Sequence, residues 1–169
     1  MIASSQAAPR AANSHRLCAI EVEHDDIVLN QAVEREQSIA IADLLESNCF
    51  ELVGQRGGPY RLTLSTRGSR LALHIATRDE VFVSSHIISF TPLKRIIRDY
   101  VTICETHFRA AAEFDRYRLE TVDMARRAIH DEGSELLKER LSGRVNIDQD
   151  TARRLFTIIV APFTVGIFG

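Results

Sequence analysis

Two Arg-Arg pairs are the residues of this sequence best suited to binding chemistry. Arg126 and Arg127 belong to one predicted helix, and Arg153 and Arg154 belong to the last predicted helix. A guanidinium group presents a planar set of N–H donors that can bind two oxygens of a phosphate or carboxylate at once. If one member of each pair faces a shared cleft, the two helices form a binding site for a small anion.

The favoured alternative is that these arginines pair with carboxylates of their own helices. Asp123 precedes the first pair by three and four residues, and Asp150 precedes the second pair by the same spacing. Asp131 lies four residues after Arg127. Side chains three or four positions apart lie on the same face of a helix, so these pairs are in reach of one another. Such pairs are usually structural, and here they would use all four guanidinium groups.

His130 is the candidate for acid–base chemistry, because Asp131 and Glu132 follow it directly. An imidazole beside carboxylates can transfer protons near neutral pH or contribute metal ligands. The spacing fits neither His-x-x-x-His nor paired Cys-x-x-Cys, so we predict no metal site. Because Gly133 follows, we interpret His130 instead as a capping residue at a helix C-terminus, where a cation favours the helix dipole.

Two secondary candidates, Cys104 and His86, lie on apolar faces of their predicted elements. Cys104 stands in the apolar stripe of a long helix, near His107. A thiol in such surroundings is usually an unreactive small hydrophobic group. His86 shares a strand face with hydrophobic residues, which is typical of a core imidazole. If it were a site residue, Ser84 and Thr91 would be its polar neighbours.

A long amphipathic helix at 92–112 is the element around which the others are arranged, since its apolar residues recur at spacings of three and four. Several stretches before it alternate polar and apolar residues, as half-buried strands do. We therefore predict one α+β domain at 16–160. It has a mainly antiparallel sheet (strands near 17–22, 49–53, 60–66, 70–76 and 81–90), an early helix at 31–46, and C-terminal helices at 92–112, 116–132, 135–141 and 150–160. Gly133 and Ser134 are interpreted as the stop of one helix and the cap of the next.

Composition and charge restrict the setting and the partners. The net charge of −2 argues against a protein that binds nucleic acid through bulk electrostatics. Three cysteines without a Cys-x-x-Cys pair fit a reducing compartment. Residues 1–15 are rich in Ala and Ser, and we expect them to be a disordered leader. Because they lack the apolar core of a secretion signal, we expect a cytoplasmic protein. The apolar tail at 161–169 is too short to cross a membrane.

Several short segments resemble, in their order and spacing, one bacterial family. They are Gly57-Gly58-Pro59-Tyr60-Arg61-Leu62, His86-Ile87-Ile88-Ser89-Phe90-Thr91-Pro92, Asp99-Tyr100, Cys104-Glu105, Met124-Ala125-Arg126-Arg127, Ile129-His130-Asp131-Glu132-Gly133-Ser134 and Thr151-Ala152-Arg153-Arg154-Leu155-Phe156-Thr157. Together they are similar to the uncharacterised protein family number 0262 of the alphaproteobacteria, over roughly residues 17–159. The resemblance implies a bacterial lineage and a cytosolic setting, and it implies no activity.

Two classes of function follow from these observations. The favoured one is a non-catalytic interaction or self-associating module, which acts through an unknown protein partner or as a homo-oligomer. It is suggested by the apolar tail at 161–169 together with the missing catalytic motif. The alternative is an enzyme or sensor for a small anionic metabolite that uses the Arg pairs, with His130 as its acid–base group. The sequence leaves open whether the protein is an enzyme, and we predict no cofactor.

Overall fold

A four-stranded sheet and a layer of helices form the fold in the computed structural model, which describes residues 14–24 and 27–164. The elements in chain order are β1 (Leu17–His24), α1 (Gln31–Glu46), β2 (Phe50–Leu52), β3 (Tyr60–Arg67), β4 (Arg70–Thr77), β5 (Phe82–Ser89), α2 (Thr91–Ala112), α3 (Arg116–Leu141), β6 (Val145–Ile147), α4 (Gln149–Val160) and a 3-10 turn at Ala161–Thr164. The predicted α+β class is confirmed. Most of the predicted leader at 1–15, and the tail from residue 165 onward, lie outside the described residues.

The sheet has the strand order β1-β3-β4-β5. β3, β4 and β5 form an antiparallel meander, in which Leu62 lies opposite Ile75 and Leu73 lies opposite His86. β1 runs parallel to β3, and the connection between them carries α1, because parallel neighbours need a long crossover. The strand predicted at 49–53 lies outside this sheet. As β2 it pairs with β6, a three-residue strand too short to show a sequence pattern.

One face of the sheet supplies most of the hydrophobic core. Alternate residues of β3 and β4 are at most 2% exposed: Tyr60, Leu62, Leu64, Leu71, Leu73 and Ile75. They join Leu44 of α1, Leu93 of α2 and Phe156 of α4 in one core cluster. Burying a large apolar side chain contributes about 1.5–3 kcal/mol, so the alternation read from the sequence is also the main source of stability.

One prediction about the helices is wrong. The segments 116–132 and 135–141 belong to a single helix of 26 residues, α3, and both Gly133 and Ser134 are buried within it. Position 133 is glycine because the Phe156 ring of α4 fills the space of a side chain there: a Cβ atom would lie 2.3 Å from Phe156 Cζ. The Ser134 hydroxyl donates to a backbone carbonyl one turn earlier, at 2.7 Å, and does not cap a new helix.

α2 and α3 pack side by side as a hairpin whose connection is at 113–115. The carboxylate of Asp115 caps α3 by accepting from the backbone N–H of Arg118 at 3.0 Å. Between Glu105 and Thr121, a stretch that the structure describes throughout, only Ala110 is buried. This end of the hairpin therefore contributes little to the core. Among the helices of the described chain, none combines the length and the apolar content needed to cross a membrane.

Candidate functional site

Three of the four arginines surround one cleft between α2, α3 and α4. The cleft has a volume of about 500 Å³ and is lined by Tyr100, Arg126, Arg127, His130, Asp131, Arg153 and Thr157. Arg154 is not among these residues, since its Nη1 donates to the carbonyl of Ser47 at 2.7 Å, at the end of α1. Adjacent residues of a helix point about 100° apart, so Arg153 and Arg154 reach different surfaces.

Asp123 holds the two arginines on the α3 side of the cleft. Its Oδ1 accepts from Nε and Nη2 of Arg126 at 3.2 and 2.8 Å, and its Oδ2 accepts from Nε of Arg127 at 2.9 Å. These two guanidinium groups hold the pKa of Asp123 below its usual range. The pairing read from the sequence is present here. Each guanidinium carries five N–H donors, and the bonds to Asp123 do not use its Nη1 group.

The second ion pair links the two helices. Asp131 does not pair with Arg127 of its own helix but accepts from Nε of Arg153 at 2.8 Å. Arg153 Nη1 also lies 3.6 Å from Asp150. Arg153 and Asp131 are each nearly half exposed, so their pair contributes at most about 1 kcal/mol to stability. Its larger consequence is geometric, because it directs Arg153 into the cleft that Arg127 also lines.

His130 lies inside α3, so its predicted role as a C-terminal cap is wrong. Its Nε2 is 2.9 Å from the hydroxyl of Thr157, and that hydroxyl donates to the carbonyl of Arg153 at 3.0 Å. Because the hydroxyl has one proton, His130 carries its own proton on Nε2 and donates it to Thr157. Burial lowers the pKa of His130; Asp131 opposes that effect, and Arg126 and Arg153 add to it. The imidazole is therefore neutral at neutral pH.

Tyr100 brings an aromatic ring from α2 into the cleft. Its ring lies edge-on to His130 and Phe156, with centroid distances of 5.6 and 6.1 Å. Its hydroxyl lies near Arg126 and Cys104, and burial raises the pKa of Tyr100 to about 12. Burial also raises the pKa of the Cys104 thiol. Both groups are protonated at neutral pH, so Cys104 lacks the thiolate that a nucleophile requires.

His86 is not part of this cleft. It lies on β5, where its Nε2 is 3.3 Å from the hydroxyl of Ser84, the polar neighbour expected from the sequence. Burial, together with nearby Arg144, lowers the pKa of His86. The structure thus places the secondary candidate in a separate local environment.

Tyr100 and Thr157 are the cleft residues that sequence reasoning missed. Tyr100 belongs to the apolar stripe of α2, and the sequence does not say that this stripe meets Arg126. Thr157 lies one turn after Arg153, a spacing that places both on one face of α4 and was a readable signal. Within residues 14–24 and 27–164, no group of three His, Cys, Asp or Glu side chains is arranged to hold a metal ion.

Comparison with known proteins places the chain in a family. The sequence matches the uncharacterised protein family UPF0262 over residues 14–163. A UPF0262 protein of Rhizobium etli (strain CIAT 652) is 47% identical over 151 residues, which cover 88% of this chain and 95% of the relative. A UPF0262 protein of Agrobacterium fabrum (strain C58) is 44% identical over 149 residues, with the same coverage of 88% and 95%.

A UPF0262 protein of Brucella canis is 46% identical over 143 residues, which cover 83% of this chain and 89% of the relative. No solved structure matches the chain. The matched range contains every residue of the cleft, from Tyr100 to Thr157. By this match and by its similarity to these relatives, the chain belongs to the uncharacterised protein family UPF0262.

Proposed function

We propose that this protein binds a small anionic metabolite, one with a phosphate or carboxylate group, in the cleft between α2, α3 and α4. The observation that supports the proposal is the convergence of Arg126, Arg127 and Arg153 from two helices. Charge pairing within α3 does not require this convergence, because Asp123 already serves both arginines of that helix. Arg153 nevertheless turns toward the same space, and its neighbour Arg154 does not.

The chemistry of the cleft suits directed hydrogen bonds better than long-range attraction. Three guanidinium groups face the carboxylates of Asp123 and Asp131, so the local charge is close to balanced. A ligand is therefore held by arginine N–H groups that are not bonded to these carboxylates. They form charge-assisted hydrogen bonds to pairs of oxygen atoms of the ligand. The edge of the Tyr100 ring and the neutral His130 limit the space available to the rest of the ligand.

Binding without catalysis fits the protonation states of the cleft. A general base must present an acceptor to the proton that it removes. His130 instead donates through Nε2 to Thr157, and its Nδ1 lies 3.5 Å from the hydroxyl of buried Ser134. Tyr100 and Cys104 keep their protons at neutral pH. We therefore favour a binding or sensing role over the use of His130 as an acid–base catalyst.

The test is a thermal-shift series with inorganic phosphate, phosphate monoesters and small di- and tricarboxylates. A ligand present at about 100 times its Kd adds about 2.7 kcal/mol to the free energy of unfolding. At this chain length each kcal/mol raises Tm by roughly 2–4 °C, so a true ligand raises Tm by roughly 5–11 °C.

Substitutions then locate the site. Arg127→Ala and Arg153→Ala should abolish the shift, because each removes a donor group from the cleft. Arg154→Ala is the matched control: it removes the adjacent guanidinium, which binds Ser47, and should leave the ligand-induced shift intact. A flat series, or a shift that survives Arg127→Ala combined with Arg153→Ala, would refute the proposal.

The self-associating module expected from the sequence stays a second candidate function. A different observation favours it: exposed apolar side chains are concentrated at the end of the α2–α3 hairpin. That surface includes none of the residues that line the cleft.

A further inference from the structure

The end of the α2–α3 hairpin carries a cluster of exposed hydrophobic side chains. We call the hairpin end the segment 105–124, which holds the C-terminal part of α2, the connection and the N-terminal part of α3. Its exposed members, with their exposed fractions, are Phe108 (53%), Phe114 (92%), Tyr117 (83%) and Met124 (71%). Single exposed apolar residues are normal on a protein surface, but a concentration of them marks an interaction surface.

These four side chains all lie near the end of the hairpin. Tyr117 and Met124 are seven residues apart, two turns of α3, and so lie on one face of that helix. Phe108 is four residues after Cys104 and continues the side of α2 that bears the cleft residue Tyr100. Phe114 lies between the helices with a φ of +55°, a conformation that few residues other than glycine adopt. An aromatic residue that is 92% exposed thus stands in the connection itself.

The charges around this cluster indicate what covers it. Glu105, Arg109 and Glu113 alternate in sign at intervals of four from α2 into the connection, and Arg116 and Glu120 do so along α3. A nucleic acid or an anionic membrane favours a surface with an excess of Lys and Arg, which this segment does not have. Five acidic and three basic side chains are interspersed in this segment. A two-fold interface presents one surface to its own copy, so unlike charges of two copies can pair across it.

The exposed area is sufficient for a symmetric contact. With roughly 200 Å² for an aromatic side chain, the exposed fractions of Phe108, Phe114 and Tyr117 amount to about 450 Å² in each copy. Two copies bring about 900 Å² together before Met124 and the charged rim are added. A specific interface needs roughly 1,000 Å² in total, so this contact lies at the weak, concentration-dependent end of the range.

We propose that a second copy of this chain covers the hairpin end and forms a symmetric dimer through the apolar side chains of both copies. The first measurement is sedimentation velocity with light scattering, on the full chain, from about 1 to about 200 μM, a range that brackets micromolar affinity. The expected result is a monomer that converts to a dimer as the concentration rises.

The decisive variant is Phe114→Ser combined with Tyr117→Ser. Both side chains are more than four-fifths exposed, so the fold is retained, and the dissociation constant should rise at least about tenfold. The matched control is Val28→Ser combined with Phe82→Ser, which removes two exposed hydrophobic side chains elsewhere and should leave dimerisation unchanged. Circular dichroism and Tm confirm that each variant is folded.

Three outcomes would overturn the dimer. The first is a wild-type chain that stays monomeric up to about 200 μM, whatever the variants do. The second is a dimer that dissociates in the Val28 and Phe82 control, which would assign the contact to another face. The third is a monomer that floats with anionic vesicles and is released by the Phe114 and Tyr117 substitutions, which would assign the hairpin end to a membrane surface.

Discussion

Replacing Gly133 with alanine tests the central packing contact of the helical layer. The substitution adds a single methyl group inside α3, at the point where the ring of Phe156 crosses it. The added Cβ would lie 2.3, 2.4 and 2.9 Å from three carbon atoms of that ring. Carbon atoms in contact are normally about 3.5–4.0 Å apart, so the ring must move by more than about 1 Å.

Two opposing effects decide the sign of the change. Alanine is favoured over glycine inside a helix by about 1 kcal/mol, which alone would stabilise the protein. Overpacking costs typically about 1–3 kcal/mol, occasionally more. Phe156 is fully buried and its ring packs edge-on against His130, with centroids 5.1 Å apart, so the ring has little room to retreat. We expect a net loss of about 1–2 kcal/mol, which lowers Tm by roughly 2–8 °C.

Urea unfolding followed by circular dichroism measures this loss directly. A double-mutant cycle with Phe156→Leu isolates the contact, because the smaller side chain makes room for the methyl group. The cost of Gly133→Ala should shrink or reverse in the Phe156→Leu background. A Gly133→Ala protein as stable as the wild type, or an equal cost in both backgrounds, would refute the packing argument.

Three further predictions concern the cleft. Burial lowers the pKa of His130 in the folded protein, so the unfolded chain takes up a proton first as the pH falls. The free energy of unfolding therefore falls as the pH drops below about 6.5. Urea titrations should show a smaller fall in His130→Gln. Tyr100→Phe should cost at most about 1 kcal/mol in the same assay, because the interaction of the hydroxyl with Arg126 is lost. It should leave tyrosinate absorbance unchanged between about pH 9 and about pH 11, because the pKa of Tyr100 is about 12. Asp123→Asn should tighten phosphate binding several-fold in calorimetry, since it releases donors of Arg126 and Arg127.

The antiparallel meander was predictable because its signal lies within each strand. In β3, Tyr60, Leu62 and Leu64 alternate with polar residues, and this alternation alone fixes which face is buried. α2 was predictable for the same reason, since its apolar stripe repeats over 22 residues. The pairing of β2 with β6 was not, because each strand has three residues and the two are almost one hundred residues apart in the chain.

In the candidate site too, the contacts within one helix could be predicted and those between helices could not. The spacing of Asp123 from Arg126 and Arg127 lies within one helix and gave the correct ion pairs. The partner predicted for Asp131 was wrong, because Asp131 pairs with Arg153 of another helix. The sequence carries no information on the distance between residues of different helices. Spacing rules identify the ion pairs that can form within one helix. They cannot compare these pairs with partners on α4, which come within reach only when α4 packs against α3.

Gly133 determines how closely α4 approaches α3, and so affects both the packing of the helices and the candidate site. A glycine inside a helix is usually read as a local weakness, but here its missing side chain admits Phe156, and the residues on either side of that ring then define the cleft. Arg153 and Thr157 lie close to Phe156 along α4, and their bonds to Asp131 and His130 span the same gap. A methyl group at position 133 that displaces Phe156 also lengthens those bonds. Gly133→Ala should therefore weaken anion binding as well as stability, whereas Arg154→Ala should lower stability alone.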